Sequence, residues 1–179
     1  MSILQQQKNP ARKKRFISTL EFLKASLPEG SRILDLGTPN DLSTYISENG
    51  YIVENAYGVD FDLQPEIIDK EGYDAVTMFE VLEHLVNPMG VLQAVKAPKL
   101  YASVPLALWF AKAYRNQADE WDQHYHEFED WQFEWLIKKS GWKINKSEKW
   151  VSPVRKIGFR PILRYFTPRY IIVEAERLK

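Results

Sequence analysis

The sequence predicts an α/β fold of three layers: a mostly parallel, twisted sheet of six or seven strands with helices on both faces. Three observations predict it. Short apolar runs at Ile33–Leu36, Asp74–Phe79 and Leu100–Val104 read as strands buried on both sides. The first two run into turns that carry acids and then into sequence of helical period. Strand and helix patterns alternate along the chain, as they do where helices cover a parallel sheet.

The elements follow in order. Residues 1–9 are polar and are expected to fray. Phe16, Ile17, Leu20, Leu23 and Leu27 share one helical face, which predicts a helix over 10–27, stopped by Pro28 and Gly30. After the first strand, Thr38 is the expected N-cap of the next helix, with Pro39 at its first position and Asp41 three residues after the cap. Leu42, Tyr45 and Ile46 form its buried face, and Gly50 ends it. Residues 51–54 and 57–61 both read as strand. Asn87-Pro88 opens a helix to about Lys96, and Pro105 stops the Leu100–Val104 strand. Residues 106–126 are irregular, partly helical around Trp109, Phe110 and Tyr114. Phe128, Trp131, Trp135 and Leu136 define a helix ended by Gly141, with Trp131 and Trp135 expected in the core. Trp142–Trp150 and Tyr170–Ala175 are the last strands, and the basic stretch 154–166 between them is left unassigned.

A chain of 179 residues with 45% hydrophobic and 27% charged residues is expected to form one globular domain spanning 1–179. It holds no apolar stretch of transmembrane length and no cysteine, so neither a membrane span nor thiolate chemistry is expected, and the cytoplasm is the expected location. The net charge of zero hides an asymmetry. Residues 1–32 carry seven Lys/Arg against two acids, residues 33–137 five against nineteen, and residues 138–179 twelve against three. One reading is that the basic ends bind an anionic partner such as nucleic acid; the favoured one is that they fold over the acidic middle and neutralise it. No nucleic-acid-binding motif is visible at the basic ends.

The motifs and their order resemble the class I S-adenosylmethionine (SAM)-dependent methyltransferases, nearest to the small-molecule type of quinone biosynthesis. Ile33-Leu34-Asp35-Leu36-Gly37-Thr38-Pro39-Asn40-Asp41 stands in the register of that family's first strand and glycine loop. Tyr73-Asp74-Ala75-Val76, Glu80-Val81-Leu82-Glu83-His84, Ser103-Val104-Pro105, His124, Glu127-Phe128, Leu136 and Gly141-Trp142 follow in family order, over about residues 30–178. The resemblance implies a Rossmann-like methyltransferase fold with an antiparallel last strand, SAM as cofactor and a small-molecule acceptor. It also implies a truncated sheet edge, because only residues 51–73 are available for what the family builds from a strand, a helix and another strand. Pro39 and Asp41 replace loop glycines. Proline has no N–H to offer, and Asp41 would itself satisfy the helix start. An inactive binding or assembly protein on the same fold is therefore the second reading, and a nucleic-acid methyltransferase using the basic ends is the third.

By the same resemblance, Asp35 would face the methionine amino group, Gly37 and Thr38 would form the turn beneath it, Phe79 would pack on adenine, and Glu80 would help hold the cofactor. Asp60, in Gly58-Val59-Asp60, is the favoured ribose acid; alternatively Asp62, by its spacing before Asp74, faces adenine, and Glu54 would then be the ribose acid. Glu80, Glu83 and His84 would share a helical face. They could hold a divalent metal, offer His84 as a base for an acceptor hydroxyl, or only brace the helix; no metal is assigned. His126, in His124-Tyr125-His126-Glu127, is the other candidate base, in a stretch that reads as a ligand cluster or a turn lining the pocket. Six Trp, nine Tyr and nine Phe suit an aromatic lid, for which Trp109 and Trp121 are the candidates.

Overall fold

In the computed structural model, which describes residues 2–119, 122–152 and 159–178, the three apolar runs become the centre of the sheet. β1 (Arg32–Leu36), β3 (Ala75–Phe79) and β4 (Lys99–Pro105) are covered on both faces. β2 (Ile52–Ala56) flanks β1, and β5 (Trp142–Val151) and β6 (Pro168–Arg177) close the other side in the order β2-β1-β3-β4-β6-β5. β2, β1, β3 and β4 run parallel, whereas β6 is antiparallel to both β4 and β5. The helices are α1 (Ile3–Gln6), α2 (Pro10–Lys24), α3 (Asp41–Glu48), α4 (Pro88–Ala94), α5 (Asp130–Lys139) and α6 (Phe159–Phe166).

Because successive strand residues alternate faces, the core divides in two. Ile33, Ala75, Tyr101 and Ile172 pack with Phe16, Leu20 and Leu23 of α2 and with Leu42, Tyr45 and Ile46 of α3. Leu34, Val76, Leu100 and Ala102 pack with Val91 and Leu92 of α4 and with Phe133 and Ile137 of α5. Trp142 is fully buried on this second side, and its indole N–H donates to the Leu92 carbonyl at 3.1 Å.

The edge beyond β2 is truncated, as the short 51–73 stretch implies. Between β2 and β3 the chain makes one 3₁₀ turn, Pro65–Ile68, and no strand. The expected strand at 57–61 does not form. Gly58 turns the backbone with φ of 81°, and the Asp60 carboxylate accepts the Asp62 N–H at 2.9 Å, so the chain leaves the sheet directly after Ala56.

Three other expectations are corrected. Residues 1–9 do not simply fray: α1 docks on α3, the Ile3 N–H reaches the Glu48 carboxylate at 3.1 Å, and Ile3 and Leu4 pack on the α2–α3 core. The 10–27 helix ends at Lys24 and is capped by Asn9 rather than running to Leu27. Trp131 and Trp135 are not core residues but are 59% and 61% exposed. They share one face of α5, and it is the opposite face, with Phe133 and Ile137, that meets the sheet. In the unassigned basic stretch, residues 159–166 form α6, while 153–158 lie outside the described residues. The basic ends do meet the acidic middle, at Arg15–Glu80 and Lys149–Asp130. Among the described residues, no helix is long and apolar enough to cross a membrane.

Candidate functional site

Strand register assembles the floor of the site. Asn55, Asp35 and Thr77 lie side by side across β2, β1 and β3, on the face turned to α2 and α3. One Asp35 oxygen accepts the Thr77 hydroxyl at 2.5 Å and the other accepts the Asn55 amide at 2.9 Å. The Asn55 amide also reaches the Gly37 carbonyl at 3.3 Å, tying the turn to the floor. Gly37 takes φ of 117°, which a side chain would strain. Asp35 is only 5% exposed. Burial pushes its carboxyl up to about 6, against the opposing pull of the Thr77 and Asn55 hydrogen bonds.

The next turn closes on itself. Asn40, not Thr38, is the N-cap of α3: its side-chain oxygen accepts the Leu42 and Ser43 amides at 2.9 and 3.2 Å, and the Asn40 N–H donates to the Ser43 hydroxyl. Thr38 is exposed and offers its carbonyl to the Asn40 side chain. Asp41 is the first helical residue and accepts a hydrogen bond from Gln7. Asn40→Ala is expected to cost about 1 kcal/mol, lowering the melting temperature by roughly 2–4 °C in a thermal scan.

Above this floor lies a cavity of about 410 Å³, lined by Arg12, Arg15, Asp35, Asn40, Phe79 and Glu80 among others. It opens at the carboxyl ends of β1 and β3, where open α/β sheets place their ligands. Glu80 ends β3 in a left-handed conformation, φ of 58°. Its carboxylate pairs with Arg15 at 2.8 Å and accepts the Ser103 hydroxyl at 3.1 Å. Burial raises its pKa, while Arg15 opposes the rise. The Arg15 guanidinium also lies 5.3 Å from the Tyr170 ring centroid. Arg12 lines the same cavity with no ion-pair partner among the described residues.

The remaining candidates lie elsewhere. Asp60 and Asp62 sit in the loop after β2 and do not line this cavity. The Asp62 carboxylate holds the Val86 and Asn87 amides, each at 2.7 Å, and so braces the start of α4. Glu54 is exposed and paired with Lys70. The expected grouping of Glu80, Glu83 and His84 on one helical face does not form. Only Leu82–His84 coils, as a single 3₁₀ turn, and Glu80 is already turned towards Arg15 and Ser103. His84 faces the 122–128 segment instead, with Nδ1 at 2.9 Å from the Gln123 carbonyl. Burial and the neighbouring His124 hold the His84 pKa below its ordinary value, favouring the neutral ring. His126 is half-buried, stacked on Phe128. Trp109 is 75% exposed and packs edge-on against Phe110, away from the cavity lining; Trp121 lies outside the described residues.

Sequence reasoning missed Arg12, Arg15, Asn40, Asn55, Thr77 and Ser103. Asn55 and Thr77 had a signal, since strand alternation puts them on the face of Asp35 once the register is known. Arg15 had none, because its partner lies 65 residues away.

A family model described as a methyltransferase domain matches residues 8–147. No curated protein matches the sequence. Solved structures share the fold at low identity. A SAM-dependent methyltransferase from Listeria monocytogenes is 14% identical with a TM-score of 0.58, over 92% of this chain and 99% of that one. The magnesium protoporphyrin IX methyltransferase of Synechocystis PCC 6803, solved with bound S-adenosylhomocysteine (SAH), is 15% identical with a TM-score of 0.58, over 93% and 83%. A chain from the complex between the Haloferax volcanii Trm112 methyltransferase activator and a methyltransferase is 14% identical with a TM-score of 0.58, over 93% and 91%.

Proposed function

The chain belongs to the methyltransferase domain family, and from that premise we propose that it transfers the methyl group of SAM to a small-molecule acceptor. The observation that carries this reading is the cavity of about 410 Å³ at the carboxyl ends of β1 and β3, with Asp35 in its floor and Phe79 and Glu80 in its wall. Asp35, Phe79 and Glu80 line the cavity, and the chemistry of the residues around it suits the cofactor. The Asp35 carboxylate suits an ammonium group, the glycine turn at Gly37-Thr38 admits close backbone approach, and Phe79 offers a ring face for adenine. Asp60 stands outside the cavity lining and is kept as the proposed partner of the ribose hydroxyls on the family resemblance alone.

The methionine carboxylate needs a different partner. Asn40 already occupies the first free amides of α3, so the cation left for it in this cavity is Arg12. When bound, SAM supplies an electrophilic methyl group. What the protein must add is placement of the acceptor in line with that methyl and removal of the acceptor's proton. His84 and His126 are the proposed bases, and the neutral form favoured at His84 suits that role.

The self-capped α3 and the two hydrogen bonds that already engage Asp35 favour one other reading, a non-catalytic protein that keeps the fold to bind a partner. Isothermal titration with SAH separates the two. Micromolar binding is expected, abolished by Asp35→Ala and weakened about tenfold by Arg12→Ala. No heat of binding at about 1 mM SAH would sink the enzyme reading and leave the second.

A further inference from the structure

We infer that Glu83, His84 and His124 form a site for one divalent transition-metal ion, at the junction of the Leu82–His84 turn and the 122–128 segment. One donor atom from each of the three residues lies within 4.8 Å of the other two. The set differs from the one the sequence suggests: Glu80 is taken by Arg15 and Ser103, and His124 enters from 40 residues further along.

Three features, one in each residue, point to an ion. Glu83 is 1% exposed, and its Oε2 is buried with no hydrogen-bond partner. A buried carboxylate oxygen left bare is costly unless a cation or a proton satisfies it. His84 presents Nδ1 to the Gln123 carbonyl at 2.9 Å. A carbonyl only accepts, so Nδ1 carries the hydrogen and Nε2, which lies 3.8 Å from the Glu83 carboxylate, keeps its lone pair. His124 does the same through Nδ1 and the Glu127 carboxylate at 3.1 Å, which frees its Nε2. An imidazole held at one nitrogen by a carbonyl or carboxylate, with the other nitrogen open, is the arrangement that orients a metal ligand.

The backbone already joins the two halves. The Tyr125 and His126 amides donate to the Glu83 carbonyl at 2.8 and 3.2 Å, so the ligands stand on a connected frame. The surrounding charge is negative, from Glu80, Asp122 and Glu127. Two imidazoles and one carboxylate suit Zn²⁺ or Mn²⁺ rather than Mg²⁺ or Ca²⁺, which prefer oxygen donors. Tetrahedral donors about 2.1 Å from zinc lie roughly 3.4 Å apart, so the three side chains must close by a little over an ångström. The ion would neutralise Glu83 and staple the 122–128 segment to the turn after β3.

The site does not rest on the methyl-transfer reading, but an ion on His84 Nε2 would take the lone pair a base needs and leave His126 as the proposed base; the test reads metal binding alone. The chelator-treated full chain is titrated calorimetrically with Zn²⁺, Mn²⁺ and Mg²⁺. One Zn²⁺ per chain is expected at micromolar affinity or tighter, with no Mg²⁺ bound below about 1 mM. Glu83→Gln and His124→Asn should each weaken Zn²⁺ binding at least about tenfold, and His126→Gln should leave it unchanged. X-ray absorption of the Zn²⁺-loaded wild-type protein should show imidazole nitrogens in the coordination shell. A shell without imidazole overturns the site even if the variants fail to fold. So does Zn²⁺ binding that both ligand variants retain, or no binding by about 1 mM.

Discussion

Arg15→Met is expected to cost about 3 kcal/mol of stability, far more than a surface substitution does. The Arg15–Glu80 pair is only 25% and 23% exposed, and it spans from α2 to the end of β3 across the cavity. Removing the cation leaves the Glu80 carboxylate with one neutral donor, the Ser103 hydroxyl, in a site where burial already raises its pKa. Glu80 must then take up a proton or open the cleft to water. Chemical denaturation measures the loss, and Arg15→Met combined with Glu80→Gln should recover part of it. A coupling energy of at least about 1 kcal/mol in that double-mutant cycle is expected. Additive losses would mean that the pair merely rests at the surface.

Asp35→Asn is expected to raise stability at pH 7 by roughly 2–3 kcal/mol while removing SAH binding. The sign follows from the carboxyl group itself. Its folded pKa of about 6 lies above the ordinary aspartate value of 3.8, so the folded state binds this proton more tightly than the unfolded chain does. The associated stability is fully present below pH 3.8 and is lost as the pH rises through 6. Asparagine stays neutral throughout. The two proteins should therefore be nearly equal in stability near pH 4 and diverge to pH 7 in denaturant titrations. A pH-independent difference would show that the carboxyl is not buried as described. If the ionised carboxylate is what holds the cofactor's amino group, SAH affinity of the wild type should also fall about tenfold from pH 7 to pH 5.

What could be read in the sequence was whatever depends on neighbours in the chain. β1, β3 and β4 were legible because strands covered on both faces are apolar throughout. The truncated edge was legible because chain length alone limits what 51–73 can build. Local signals failed where two of them competed. Thr38 and Asn40 are both good caps two residues apart, and the Asn40 side chain wins by reaching two amides. α5 carries large apolar groups on opposite faces, so periodicity could not tell Trp131 and Trp135 from Phe133 and Ile137. At the site, Asp35 and Gly37 stood out by motif. Arg15, Asn55 and Thr77 came only with the register and the docking of α2, because each acts through a residue distant in sequence.

The bare edge of the sheet has a kinetic consequence. β2, like β5 at the opposite edge, is bonded on one side only, so its amides are expected to exchange with deuterium earlier than those of Leu34, Val76 and Ala102. Asn55, which grips both Asp35 and the Gly37 carbonyl, stands on that early-opening strand. Each brief fraying of the edge would release the cavity floor while the rest of the sheet stays closed, giving the site a breathing motion of its own, decoupled from global unfolding.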